Sequence, residues 1–112
     1  MILEYKSRKL KKQCEDPQKA QLEYGKAIGT KLTQRVGELK AATCLLDIKC
    51  IPSARLHRLK GRRADEYAVD LVHPFRLIFK PILQENGDID ELESISIVRI
   101  EEVIDYHGKQ KS

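Results

Sequence analysis

Tryptophan is absent from this sequence, and aromatic residues make up only 5% of it. With so few rings, each tyrosine and phenylalanine is expected to hold a definite place in the fold. Long apolar runs are absent too: none approaches the roughly 20 residues that a membrane-spanning helix needs. Met1 to Tyr5 is apolar only briefly before the chain turns basic, so no secretory leader is read there and a soluble, cytoplasmic protein is expected. The 3 cysteines, Cys14, Cys44 and Cys50, form no CxxC pair, and no histidine stands beside them at zinc-ligand spacing. Reduced, structural thiols are the expectation, with no metal and no cofactor. Internal repeats, low-complexity segments and linkers are also missing.

What the chain does have is 112 residues, of which 41% are hydrophobic, enough for a single domain with one core across residues 1–112. Its charge is unevenly spread. Residues 1–63 hold 16 lysines and arginines against 6 acids, a net of +10; residues 64–112 hold 5 against 11, a net of −6. A basic first half suits a polyanionic partner, although a run of charge is also what an ordinary solvated helical face carries.

Asp16-Pro17 reads as a helix start, with aspartate as N-cap and proline in the first helical position. Apolar residues follow at Ala20, Tyr24, Ala27, Ile28, Leu32, Val36 and Leu39, the spacing of one helical stripe. Gly25, Gly29 and Gly37 interrupt it and mark either a break or the close approach of another element. A short helix is expected around Thr43 to Lys49, ended by Pro52-Ser53. The period then changes. In EYAVDLV, Tyr67, Val69 and Leu71 point one way; in FRLIFK, Phe75, Leu77 and Phe79 do the same. His73-Pro74 joins the two as a hairpin. QENGDIDELES reads as a surface loop, and ISIVRI as a strand that runs through Glu101-Glu102 into VIDYH. Met1 to Tyr5 is a candidate edge strand. Helices first and strands later predict an α+β fold: two or more N-terminal helices packed on one face of a small, mostly antiparallel twisted sheet.

Several polar residues on this scaffold are candidates for chemistry. His57 and Lys60 lie on one strand and its turn, Arg76 stands inside an apolar strand, and Asp105, Tyr106 and His107 end the last one. Taken singly, each has a plain structural reading: Arg76 paired with a carboxylate such as Asp70, His57 as a partly buried sheet histidine, the last three as a polar strand end. Taken together they suit cleavage of RNA by its own 2′-hydroxyl. That reaction needs a base, an acid and cations to hold the phosphorane charge. Histidine is the residue type whose charge changes near neutrality, so His57 and His107 suit the acid and base work. Lys60 and Arg76 suit a phosphate, and Tyr106 suits stacking on a base or proton transfer. Regular alternation puts Asp105 and His107 on one face and Tyr106 on the other, so a bend or unequal roles is needed for all three to serve one site.

ARLHRLKGRR, then EYAVDLVHPFRLIFKP, then VIDYH, in that order, resemble the HigB branch of the RelE/ParE toxin superfamily, the plasmid maintenance killer proteins. The resemblance covers most of Ile51 to His107. It implies a RelE-like α+β fold and a toxin of a type II toxin-antitoxin system: a metal-independent, ribosome-dependent mRNA endoribonuclease that inhibits translation. It also implies a cognate helix-turn-helix antitoxin, through which the pair binds operator DNA. Carried over by position, the family's site falls on His57, Lys60, Arg76, Asp105, Tyr106 and His107. Pro81 to Ser94 departs from the pattern, being longer and more acidic than the expected hairpin turn, and Gly108 to Ser112 extend past the motif. Two other readings stand beside this one: a ParE-like gyrase poison without nuclease residues, and an inactive toxin that survives as an antitoxin-binding co-repressor.

Overall fold

The computed structural model describes residues 1–106. Its first half is built from helices with identifiable starts. The Ser7 hydroxyl accepts from the Leu10 amide and opens α1, Arg8–Glu15. The Asp16 carboxylate accepts from the Gln18 and Lys19 amides and opens α2, Pro17–Tyr24, with Pro17 in the first turn as the sequence predicts. The expected stripe does not run on unbroken to Leu39. Gly25 adopts φ 86°, ends α2 and starts α3, Lys26–Ala41. With ψ 167° this is a region essentially closed to residues with a side chain, at a cost of roughly 1–3 kcal/mol, so glycine takes it. The break also resets the helical phase, which leaves Ala27 exposed while Leu32, Val36 and Leu39 stay buried. Gly29 serves the second expected purpose. A Cβ there would lie 2.7 Å from backbone atoms of Ala20 and Gln21, so α2 and α3 cross with their backbones in contact. The short helix α4 is Leu45–Lys49, and a 3₁₀ turn at Pro52–Ala54 follows it.

The second half forms the sheet. β1 is Ile2–Tyr5, β2 His57–Arg58, β3 Tyr67–Asp70, β4 Phe75–Pro81 and β5 Ile97–Asp105. Their order is β1-β5-β4-β3-β2. All pairs are antiparallel except β1 with β5, so the N-terminus does add an edge strand. The architecture is α+β, with four helices among the described residues set against a mostly antiparallel, open sheet.

Alternation then decides which side chain meets the helices. Tyr67, Val69, Leu71, Leu77 and Phe79 join Leu10, Leu32, Val36, Leu39, Leu45 and Ile48 in the main core. Ala68, Ile78 and Ile104 form a second, small apolar cluster with Leu59 and Tyr106 on the opposite face. None of the four helices contributes to that cluster, and the face also carries charged residues such as Arg76, Lys80 and Glu102. The core is tied to the sheet's end by a residue the periodicity gives no reason to notice. Arg35 is 2% exposed; its Nε donates to the Asp70 carbonyl (2.8 Å), Nη1 to the Glu38 carboxylate (2.9 Å) and Nη2 to the Ser53 carbonyl (2.8 Å). QENGDIDELES is a surface loop as expected, with a 3₁₀ turn at Leu92–Ser94. It is pinned at two points, by Arg58 Nη1 on Asp90 (2.6 Å) and by the Tyr67 hydroxyl donating to the Ile89 carbonyl (2.8 Å).

Candidate active site on the open face of the sheet

The open face is assembled by register. Arg76 on β4 stands opposite Asp70 on β3 and Ile104 on β5. One step along, Ile78 stands opposite Ala68, which is opposite His57 on β2. Arg76 and Asp70 therefore share a face by pairing, and His57 joins them from the edge strand.

Which residue of the Asp105-Tyr106 pair reaches this face is decided by a bulge. Ile78 pairs with Glu102 but Phe79 pairs with Ile100, so Glu101 is an extra residue on β5. An extra residue reverses the alternation beyond it. Before the bulge Val98 and Ile100 face the helices; after it Val103 does, while Ile104 and Tyr106 turn to the open face. Tyr106 follows β5, and its ring lies under the Arg76 guanidinium at 4.4 Å. Asp105 pairs with Phe75, which packs on the main core, so Asp105 has the parity of the helix-covered face. His107 lies outside the described residues. The structure thus brings His57, Arg76 and Tyr106 together on one face and puts Asp105 on the other. Lys60 is exposed just before the 3₁₀ turn Gly61–Arg63, with no polar contact to Arg76 or His57.

Arg55, Leu56, His57 and Arg76 line a cleft of about 420 Å³, open to solvent. Arg55 was not singled out from the sequence, yet it lies two residues before His57, on the same parity, in a stretch rich in cations. It adopts φ 47°, a left-handed conformation that is uncommon outside glycine and tends to occur at functional sites. Its Nη1 is 3.3 Å from Asp70 Oδ2, while Arg76 Nε is 3.5 Å from Asp70 Oδ1. One carboxylate therefore stands between two arginines, as the plain structural reading of Arg76 expects. The pairing is loose. Asp70 Oδ1 is buried and accepts no hydrogen bond among the described residues, so the Arg76 contact gives Coulomb attraction without hydrogen-bond alignment. A buried acceptor left this way costs about 1–3 kcal/mol, and Arg76 makes no well-directed hydrogen bond to it.

The imidazole of His57 has a defined tautomer. Its Nδ1 is 2.7 Å from the Arg55 carbonyl oxygen, which can only accept, so Nδ1 carries the proton. In the neutral ring the free lone pair is then on Nε2, and that is the atom able to take a proton.

Further along the open face ion pairs engage Arg63 and Lys80. Arg63 bridges Glu66 (2.5 Å) and Glu102 (2.6 Å), which hold its guanidinium charged well above the usual range against the opposing effect of burial. Lys80, 3.2 Å from Asp65, keeps that carboxyl below the usual carboxylate range. These pairs close the central part of the face and leave the His57–Arg76–Tyr106 end as the open one. Among the described residues no three histidine, cysteine, aspartate or glutamate side chains gather as a metal site would require. No helix there is long and apolar enough to cross a membrane. Against known proteins, the chain matches no family model, no curated protein and no solved structure.

Proposed function

We propose that the chain is a toxin of the RelE/ParE type: a cytoplasmic endoribonuclease that cuts mRNA on the ribosome without a metal ion, restrained by a cognate antitoxin. The observation that carries this reading is the Arg76 guanidinium stacked on Tyr106 and only loosely paired with Asp70, in a cleft it shares with His57. The motif resemblance supports the same residues independently of the geometry.

In this reading Nε2 of His57 takes the proton of the 2′-hydroxyl, which attacks the adjacent phosphorus. A positioned base of this kind is worth about 10²–10⁴-fold in rate. Arg76 leaves its poorly directed contact with Asp70 and donates two hydrogen bonds to the equatorial oxygens of the phosphorane. Tyr106 holds the guanidinium plane through its ring, and a stacked arginine keeps its orientation while it changes anion. Arg55 adds positive charge to the cleft lining, and the phosphate-binding role of Lys60 rests on the resemblance alone. His107 protonates the leaving 5′-oxygen, a role that rests on the resemblance alone. Dependence on the ribosome fits a site with one imidazole in the described cleft and few walls: the ribosome would supply the RNA geometry.

The test is the mapping of mRNA 5′ ends in cells after brief induction of the wild-type chain and of His57→Ala, Arg76→Ala and His107→Ala. Cuts inside translated frames, absent from all three folded variants, are expected. Intact mRNA with arrested growth and broken DNA would move the function to gyrase poisoning. Intact mRNA with normal growth would leave a co-repressor, a reading favoured by the Arg76–Asp70 ion pair, which gives Arg76 a structural purpose.

A further inference from the structure

The helical layer carries a feature that its own packing does not use. Leu22 on α2 is 87% exposed, the most exposed large hydrophobic side chain among the described residues. Ala20, two residues earlier and so about 200° away around the helix, is fully buried, which turns Leu22 directly outward. The side chain forms a ridge between two shallow depressions. Lys9, Lys12 and Lys19 lie in the first, of about 280 Å³, and Lys26 in the second, of about 470 Å³. Among the described residues none of these four lysines makes an ion pair, whereas Lys40 and Lys80 each do.

The ridge is also rigid. Gly29 lets the α3 backbone touch Ala20 and Gln21, one or two residues from Leu22, and Asp16 caps the start of the same helix. A partner would therefore lose little free energy to ordering it.

We propose that this ridge is a docking surface for an acidic protein segment that carries an exposed apolar side chain. Charge complementarity sets the first half of that description: four unpaired ammonium groups, against the one carboxylate of Glu23, surround the leucine. Leu22 sets the second half, because a nucleic acid gains nothing from an aliphatic ridge. The depressions also lack the arginines and aromatic rings by which proteins grip phosphates in bidentate fashion and stack on bases. An acidic helix with an apolar residue beside its carboxylates satisfies both. The layer to which α2 belongs covers the face of the sheet away from the cleft, so docking here leaves His57 and Arg76 open and stands whether or not the cleft cuts RNA.

The experiment is a fluorescence-anisotropy titration of the full chain with a labelled helical peptide bearing glutamate and leucine at i, i+4 spacing. Leu22→Ser and Lys12→Glu are each expected to weaken binding about tenfold or more, by removing the apolar contact or reversing one charge. Lys49→Glu makes the same charge change on α4 and is expected to leave affinity within about twofold. All three positions are exposed, so thermal melts should stay at the wild-type value. Absence of peptide binding to the wild-type chain, or equal weakening by Lys49→Glu, would overturn the proposal. So would a single-stranded RNA that displaces the peptide and loses affinity with Lys12→Glu but not with Leu22→Ser. Sedimentation showing a self-associated chain that Leu22→Ser dissolves would replace the acidic segment with a second copy, and overturn it equally.

Discussion

Arg35 is the residue whose loss the structure makes most costly. Its hydrogen bonds reach three separate elements: Glu38 on its own helix, Ser53 in the 3₁₀ turn before β2, and the Asp70 carbonyl at the end of β3. Arg35→Ala removes all three donors at once. Two backbone carbonyls lose their charged partner, and so does Glu38. Burial pushes the Glu38 carboxyl up, but hydrogen bonds from Arg35 and Gln34 more than offset this and keep it below the usual range. Breaking a buried charged pair by removing one member costs about 3–5 kcal/mol. A loss of about 4 kcal/mol is therefore expected, a large part of the roughly 5–15 kcal/mol that holds a domain folded. With a urea slope of about 2 kcal/mol per molar, the unfolding midpoint should fall by about 2 M. Arg35→Lys keeps the charge but cannot fork toward three acceptors, and should recover about half of the loss. Glu38→Gln leaves both carbonyl bonds in place and should cost less than about 1 kcal/mol. Urea unfolding followed by far-ultraviolet circular dichroism measures all of them. If Arg35→Ala lies within about 1 kcal/mol of wild type, water satisfies those carbonyls as well as the guanidinium does, and the clamp described here is wrong.

Two further stability predictions separate structural roles that look alike in the sequence. Gly29→Ala drives a methyl group to 2.7 Å from the α2 backbone and should destabilise by about 1–3 kcal/mol, whereas Gly37, inside the same helix with open space around it, should stabilise by about 0.5–1 kcal/mol when replaced by alanine. Differential scanning calorimetry of the two variants should show melting temperatures displaced in opposite directions. The buried Cys14 thiol is pushed up to about 12, by burial first and by the Glu15 carboxylate second, with Lys40 opposing. Above pH 9 the unfolded chain releases this proton and the folded chain keeps it, so the thiol's contribution is flat below pH 9 and falls between pH 9 and about 12, by up to about 1.4 kcal/mol per pH unit. Cys14→Ala should lessen that alkaline slope without abolishing it, since Tyr24 is also pushed up to about 12. Labelling with a thiol reagent at neutral pH should modify exposed Cys50 first and Cys14 only at the rate of unfolding; rapid labelling of Cys14 would contradict its burial.

How much of this was legible beforehand differs between the two halves. The strands could be read because alternation there is nearly complete: Tyr67, Val69, Leu71, Leu77 and Phe79 all face the main core as their spacing implies. Asp16-Pro17 could be read because a cap and a proline are local signals. The helix α1 left a weaker signal, a Ser7 cap with no proline after it. RKLKKQCE contributes only Leu10 and Cys14 to the core, and two apolar residues one turn apart do not make a stripe against six polar ones. Arg35 was invisible for a related reason: a lysine- and arginine-rich helix gives no sign of which cation is buried, since that depends on where Asp70 and Ser53 end up. Of the candidate site, His57, Arg76 and Tyr106 were named from sequence and meet on one face. The counter-ion Asp70 was anticipated as well, while Arg55 was not.

The bulge at Glu101 is the instructive case, because a single residue inverts the conclusion that strict alternation reaches. Counting by twos back along β5 from Asp105 through Val103 leads to Glu101 and Arg99, two charged residues, while the other parity leads from Ile104 through Glu102 to Ile100 and Val98. No regular strand can bury Val98, Ile100 and Val103 on one face, since the last differs in parity from the first two. The main core takes all three, and the ladder absorbs the mismatch by leaving Glu101 unpaired between Ile100 and Glu102. Hydrophobic burial of Val103 against Leu77 thus sets the register of everything after it, and Tyr106 rather than Asp105 is carried to the open face under Arg76. The same reasoning explains why the bend that the candidate site needs lies inside the strand instead of at its end. A bulge is also where a strand gains twist, which turns its terminus across the sheet toward β4 and β3. The pattern of apolar residues at Val98, Ile100, Val103 and Ile104 held this information from the start: a change of parity within one strand is the sequence signature of a bulge, and it tells which side of the sheet the following residues will serve.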